Sequence, residues 1–180
     1  MKLKITYFDV LWMLLLWALM MASWWFVHGQ GALIWTLMLS AALAFLIIYD
    51  FRHFLLPNIV TIPLLILGLV FRALQSIDAF ITSLIGVMLG IMLLVLISLG
   101  YRKLRGREGL GFGDAKLVGA AGAWLGWAPL SLVLLLGSLT ALNFVAAKAL
   151  ISAEKIDAHH QVAFGSYLAF GFWLCWLLPI

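Results

Sequence analysis

Residues 105–116 read RGREGLGFGDAK, and the rest of the chain is arranged around this stretch. Four glycines fall between positions 106 and 113. Because glycine loses the most backbone freedom on ordering, this stretch favours a sharply bent backbone that another chain can approach closely. Asp114 then stands at the entrance to a long apolar run that begins at Leu117. A carboxylate at the edge of hydrocarbon is energetically expensive, and it indicates a functional site by default.

The composition places this site in a membrane. The 180 residues are 66% hydrophobic and only 10% charged, whereas soluble domains carry about 25% charged residues. A core of this size cannot hide so much apolar surface, so we expect residues 1–180 to form a single membrane-embedded domain in contact with the lipid bilayer. The net charge of +4 is confined to short loops, which indicates membrane orientation and not nucleic-acid binding. Cys175 is the only cysteine, so the sequence predicts no internal disulfide, no cysteine zinc site and no cofactor.

The apolar runs predict an all-α, polytopic bundle of about seven transmembrane helices. One run, residues 117–147, would be about 46 Å long as a single helix, against a hydrocarbon core of about 30 Å. The segment Gly126-Trp127-Ala128-Pro129 offers a break, so this run is expected to form two short helices. The seven predicted helices lie at roughly residues 10–27, 32–49, 59–74, 79–100, 115–127, 130–147 and 161–179.

The basic residues predict the orientation. If the N-terminus is cytoplasmic, the loops on that side contain all of the 11 lysines and arginines except Arg72, as the positive-inside rule requires. This topology also puts Asp50, which closes the second apolar run, on the same face as Asp114. These inside loops are residues 1–9, 50–58, 101–116 and 148–160.

Two carboxyl groups on one face can hydrolyse a peptide bond if one is ionised and the other protonated. The ionised group takes a proton from water, and the protonated group donates to the carbonyl oxygen. Two acids close together cannot both ionise, which separates their titrations. Each acid also has a plain alternative: Asp50 could be an interfacial acid beside Arg52, and Asp114 could be a helix N-cap.

The residues around both acids resemble the type IV prepilin peptidases, which are GxGD aspartyl proteases of the bacterial inner membrane. The resemblance covers roughly residues 40–180. It rests on Asp50, on Leu56-Pro57-Asn58, on Thr61-Ile62-Pro63 and on Gly111-Phe112-Gly113-Asp114-Ala115-Lys116-Leu117. The GxGD tetrad alone is a weak signal, whereas both acids with their flanking residues in this order are a strong one.

The resemblance implies a role for each matching residue. Asp50 and Asp114 match the two catalytic aspartates, and Gly111 and Gly113 match the glycines that shape the backbone around the second acid. Pro57 belongs to the matching motif after the first acid, and Lys116 matches a common basic position, where a lysine reaching the membrane surface is the alternative. The implied substrates are prepilins and pseudopilins of type IV pilus or type II secretion systems, cut on the cytoplasmic side after a glycine.

Two departures from the family pattern carry expectations. Full-length members have an N-terminal domain with two Cys-x-x-Cys pairs that is associated with N-methyltransferase activity. This chain resembles the short, peptidase-only form, so methyltransferase activity is not expected. Phe164-Gly165-Ser166 stands where many members have Phe-Gly-Pro, and this difference is expected to affect the helix start and not the chemistry.

Other interpretations remain open at this point. Presenilin-like GxGD proteases also have a Tyr-Asp pair like Tyr49-Asp50, but Ala128-Pro129-Leu130 has the wrong order for their Pro-Ala-Leu motif. A small transporter or a pilus or secretion assembly protein could carry non-catalytic intramembrane acids, although such a transporter should show repeats or acids near the bilayer midplane. The neighbours His159 and His160 lack a third metal ligand, so they indicate a solvated loop and no metal site.

Overall fold

Seven helices make up the computed structural model, which describes residues 7–28, 33–105, 111–152 and 163–178. The predicted all-α class is confirmed, and these described residues contain no strand. The helices are α1 (Tyr7–His28), α2 (Leu33–His53), α3 (Asn58–Gln75), α4 (Ile77–Arg105), α5 (Phe112–Leu125), α6 (Leu130–Ser152) and α7 (Phe164–Leu177).

Four of these helices are long and apolar enough to cross a membrane by length and composition: α2, α3, α4 and α6. Two shorter apolar segments, Val10–Trp25 in α1 and Phe164–Leu177 in α7, accompany them. Large apolar side chains are exposed along the outer faces of the bundle, for example Ile59, Met88 and Leu142. Lipid is the solvent that such a surface requires, so the chain is a multi-pass membrane protein.

The helix ends that carry Asp50 and Asp114 differ from the predicted ones. The helix α2 continues past Asp50 to His53, because Arg52 and His53 suit a helix C-terminus and the chain turns only at Phe54, which has φ 52°. The helix α5 begins at Phe112, so Gly113 and Asp114 lie inside its first turn. Both acids are therefore helical residues, close to the ends of their helices.

The run 117–147 is indeed broken. The helix α5 ends at Leu125, and Gly126 follows with φ 85°, a conformation that favours glycine because it has no Cβ. A turn through Trp127–Pro129 then leads into α6. The break sends the chain back across the bundle and places the start of α5 and the end of α6 at the same end.

The helix α5 lies at the centre of the bundle, and small residues let its neighbours come close. Gly122 of α5 and Gly86 of α4 face each other so closely that a Cβ on Gly86 would lie 2.8 Å from the carbonyl oxygen of Gly122. Membrane helices commonly pack through small residues in this way. On another side, Trp124 covers Gly68 of α3, and its indole N–H donates to the carbonyl of Leu64 at 2.8 Å. These contacts fix the depth and rotation of the helix that carries Asp114.

Candidate active site

Two acidic side chains are buried at one end of the bundle. Asp50, in the last turn of α2, is only 4% exposed, and Asp114, the third residue of α5, is 9% exposed. Acidic residues are almost never this buried unless they have partners. The two side chains are far apart in sequence, so the packing of α2, α5 and α7 is what brings them to one place.

Gly165, in the first turn of α7, shows how close the two carboxyl groups are. A Cβ placed on Gly165 would lie 3.0 Å from Oδ1 of Asp114 and 3.1 Å from Oδ2 of Asp50. Since both oxygens surround this one point, they are separated by no more than the sum of those two distances. Both carboxyl groups therefore lie against one backbone position, and a side chain at position 165 would fit only if Leu56 and the acids shifted.

Asp50 is held by the start of α7. The backbone N–H of Ser166 donates to Oδ2 of Asp50 at 2.7 Å, and the hydroxyl of Ser166 lies 2.9 Å from the same oxygen. The same hydroxyl also lies 2.9 Å from the carbonyl oxygen of Ile47. Asp50 thus faces the N-terminus of a helix, where N–H groups and the helix dipole favour negative charge.

The glycine motif that precedes Asp114 fixes its backbone position. Gly111 is the N-cap of α5, with φ −74° and ψ 146°, and its carbonyl accepts the backbone N–H of Asp114 at 3.1 Å. The N-cap alternative for Asp114 is therefore wrong, because the cap position belongs to Gly111. A Cβ on Gly111 would lie 3.7 Å from Oδ2 of Asp114, an ordinary contact, so no steric conflict with the described residues requires glycine there.

Leu56 covers the paired acids. Its side chain packs between Gly113 and Gly165: a Cβ on Gly113 would lie 3.0 Å from Cβ of Leu56, and one on Gly165 would lie 2.8 Å from its Cδ1. The next residue, Pro57, is the N-cap of α3 and has an extended conformation that suits proline. Its carbonyl accepts the backbone N–H of Thr61. Pro57 therefore fixes the point at which the segment over the site turns into α3.

Lys116 lies beside the acid pair and bonds to a residue of α3. Its Nζ donates to Oδ1 of Asn58 at 2.8 Å, which joins the first turn of α5 to the first residue of α3. The ring of His53 packs at a tilt against the buried ring of Tyr49 near the end of α2, with ring centroids 4.5 Å apart. His159 and His160 lie outside the described residues. Within the parts of the chain that the structure describes, no group of three metal-binding side chains occurs.

Ser166, Gly165 and Leu56 line the acid pair, and the sequence did not single them out for that role. The Phe164-Gly165-Ser166 departure was expected to affect the helix start and not the chemistry, and the structure places Ser166 in direct contact with the carboxyl group of Asp50. The position of Ser166 in the first turn of a predicted helix could have indicated this contact, since a serine there can donate a hydrogen bond to an acid at the adjacent end of another helix.

Fold and site together define a multi-pass helical membrane protein whose two buried aspartates meet at one end of the bundle. Residues 37–146 match the type IV leader peptidase family, and the chain belongs to that family. This membership favours the prepilin peptidase interpretation over the presenilin-like and transporter alternatives.

Curated relatives agree with this assignment. The chain is 40% identical over 152 residues to the prepilin leader peptidase/N-methyltransferase of Aeromonas hydrophila, which covers 83% of this chain and 50% of that protein. It is 39% identical over 124 residues to the Escherichia coli (strain K12) protein of the same name, covering 69% of this chain and 54% of the relative. The chain thus spans about half the length of the curated relatives it matches. No solved structure matches it.

Proposed function

We propose that this protein is an intramembrane aspartyl endopeptidase that removes the leader peptide of type IV prepilins or prepilin-like pseudopilins. The observation that carries the proposal is the convergence of Asp50 and Asp114 on Gly165 in a buried site. Membership of the type IV leader peptidase family supports the substrate class. Two carboxyl groups around one water molecule are sufficient chemistry for peptide hydrolysis without a metal or cofactor.

The reaction needs one proton shared between the two carboxyl groups. The ionised carboxylate removes a proton from a water molecule, whose oxygen forms a bond to the scissile carbonyl carbon. The protonated carboxyl donates its proton to the carbonyl oxygen, giving a neutral tetrahedral diol. When the C–N bond breaks, the first carboxyl gives the water-derived proton to the leaving nitrogen, and the diol returns a proton to the second. Burial favours this cycle because two neighbouring carboxyl groups in low dielectric cannot both be ionised.

We place the site at the cytoplasmic face of the bacterial inner membrane. Basic side chains surround the end of the bundle that holds the acids, including Arg52, Lys103 and Lys116, whereas Arg72 is at the opposite end. The positive-inside rule then puts the N-terminus and the acid pair on the cytoplasmic side. A prepilin would present its cleavage glycine there, just before its own apolar helix enters the bilayer.

The test replaces each acid by its amide. We expect Asp50→Asn and Asp114→Asn each to lower cleavage of a prepilin by roughly 10³-fold or more, because each removes a proton carrier from the cycle. Asparagine preserves size and hydrogen bonding, so membrane insertion and expression should not change. The matched control is Asp78→Asn, in the first turn of α4 at the other end of the bundle.

The measurement is the rate of leader release from a purified prepilin in detergent or proteoliposomes, followed by mass spectrometry. If one amide variant cleaved at the wild-type rate, that aspartate would have no place in the mechanism. Cleavage by both, or none by the wild-type protein with any prepilin or pseudopilin, would reject the proposed function.

A further inference from the structure

We propose that Ser166 is the positioning residue for Asp50, and that its hydroxyl group follows the charge of that carboxyl during the reaction. This inference rests on the proposed function and extends it to a residue outside the two acids. Ser166 is 1% exposed, so its hydrogen bonds form away from water. Its backbone N–H and its hydroxyl both point at the same carboxylate oxygen, Oδ2 of Asp50.

The two donors of Ser166 differ in what they can do. A backbone N–H can only donate, so Oδ2 of Asp50 is an acceptor whichever protonation state the carboxyl has. The hydroxyl carries a single proton and lies 2.9 Å from two acceptors, Oδ2 of Asp50 and the carbonyl oxygen of Ile47. It can donate to only one of them at a time. A rotation about the C–O bond is enough to change the acceptor.

This pair of acceptors suits a carboxyl group that gains and loses a proton in each turnover. While Asp50 is ionised, donation from the hydroxyl to the carboxylate is the stronger, charge-assisted bond. When Asp50 carries a proton, the hydroxyl can donate to Ile47, so its own proton stays paired in both states. A buried site gains from this arrangement because an unpaired polar group there is costly.

The arrangement also makes the two acids unequal. Asp50 accepts from two donors in the first turn of α7, the backbone N–H and the hydroxyl of Ser166, whereas the carboxyl group of Asp114 receives one backbone hydrogen bond, from Gly111. Donors at a helix N-terminus stabilise the ionised form of a carboxyl group. The geometry therefore assigns Asp50 as the resting carboxylate that activates water, and Asp114 as the acid that protonates the substrate carbonyl.

The kinetic test is Ser166→Ala, which deletes the hydroxyl and keeps the backbone N–H. We expect kcat for prepilin cleavage to fall roughly tenfold, as for loss of one hydrogen bond to a charged group, with KM unchanged because the hydroxyl does not contact substrate. The matched control is Ser40→Ala. Ser40 lies on the core side of α2, is fully buried like Ser166, and donates to a backbone carbonyl, that of Leu37. Its loss should leave kcat unchanged.

A second measurement does not depend on cleavage. The thermal-unfolding shift caused by Ser166→Ala is measured in three backgrounds: wild type, Asp50→Asn and Asp114→Asn. We expect Ser166→Ala to lower the unfolding temperature less in the Asp50→Asn background, since an amide oxygen accepts a weaker hydrogen bond than a carboxylate. In the Asp114→Asn background the decrease should equal the decrease in the wild-type background. In the Asp50→Asn background the hydroxyl can still donate to the carbonyl of Ile47, so the loss of stability there should be reduced and not abolished.

The outcomes separate the two proposals. If Ser166→Ala lowered stability equally in all three backgrounds, or left kcat unchanged, the positioning role would be overturned. Ser166 would then be a structural residue that links α2 and α7 by hydrogen bonds. If the wild-type protein cleaves no prepilin but the effect of Ser166→Ala on stability still depends on Asp50, the proposed function is rejected and the interaction between Ser166 and Asp50 is retained.

Discussion

Gly165 is a position at which a single added carbon atom should slow the proposed reaction strongly. An alanine Cβ there would lie 2.8 Å from Cδ1 of Leu56, 3.0 Å from Oδ1 of Asp114 and 3.1 Å from Oδ2 of Asp50. Ordinary carbon–carbon contacts are about 3.5–4.0 Å and close carbon–oxygen contacts about 3.3–3.6 Å. The Leu56 side chain can rotate away, but the acids must separate by a few tenths of an ångström.

The cost can be estimated from these overlaps. Adding one carbon to a well-packed site costs about 1–3 kcal/mol of stability. Catalysis should suffer more, since misplacing reacting groups by 1 Å can cost about 10²-fold. We therefore expect Gly165→Ala to insert into the membrane and remain folded, and to lose roughly 10- to 100-fold in kcat.

Two further variants make this result interpretable. Gly100→Ala, on the exposed side of α4, is the matched control, because a Cβ there would meet no atom within 4 Å. Gly113→Ala is the graded comparison: its three nearest atoms would all belong to Leu56, so it should displace that side chain without separating the acids and should cost less kcat than Gly165→Ala. The assay is single-turnover cleavage of a prepilin at saturating enzyme. A Gly165→Ala protein with near wild-type kcat would refute the reasoning, because the two carboxyl groups could not then converge on this glycine.

Two other changes give distinct expectations. Lys116→Met should break the bond to Asn58 and lower the unfolding temperature by about 2–4 °C, for a net hydrogen-bond contribution of about 1 kcal/mol. Differential scanning fluorimetry checks this, and kcat should fall less than fivefold; complete loss of cleavage would instead give Lys116 a direct chemical role. Pilin released by this 180-residue chain in the presence of S-adenosylmethionine should keep an unmethylated N-terminus, since Cys175 is its one cysteine and it carries no Cys-x-x-Cys pair. A mass gain of one methyl group that depends on this chain alone would contradict that expectation.

Much of the fold follows from charge and helix length. Charge-free runs can satisfy their backbone groups in a bilayer only as helices, so their number was predictable, and so was the break at Gly126, where a single helix would have exceeded the membrane thickness. The common face of Asp50 and Asp114 also followed, because an even number of crossings returns the chain to the same side. The ends of α2 and α5 were less predictable. Phe51-Arg52-His53 and Phe112-Gly113 have no strong helix signal, and neighbouring helices decide how far each end continues.

The environment of the acids could not be predicted from local sequence, because it depends on which helices become neighbours. Ser166 is 116 residues from Asp50, and no periodicity or spacing relates the two. Only the packing of α7 against α2 turns an ordinary first-turn serine into a donor for a buried carboxylate. The same holds for Gly165, whose missing Cβ matters because Leu56 and both acids approach it from three different elements. A motif can thus identify the groups that carry protons. If Ser166 acts on Asp50 as we propose, the groups that decide which acid is ionised come from the helix that packs against both acids, and that helix begins at Phe164.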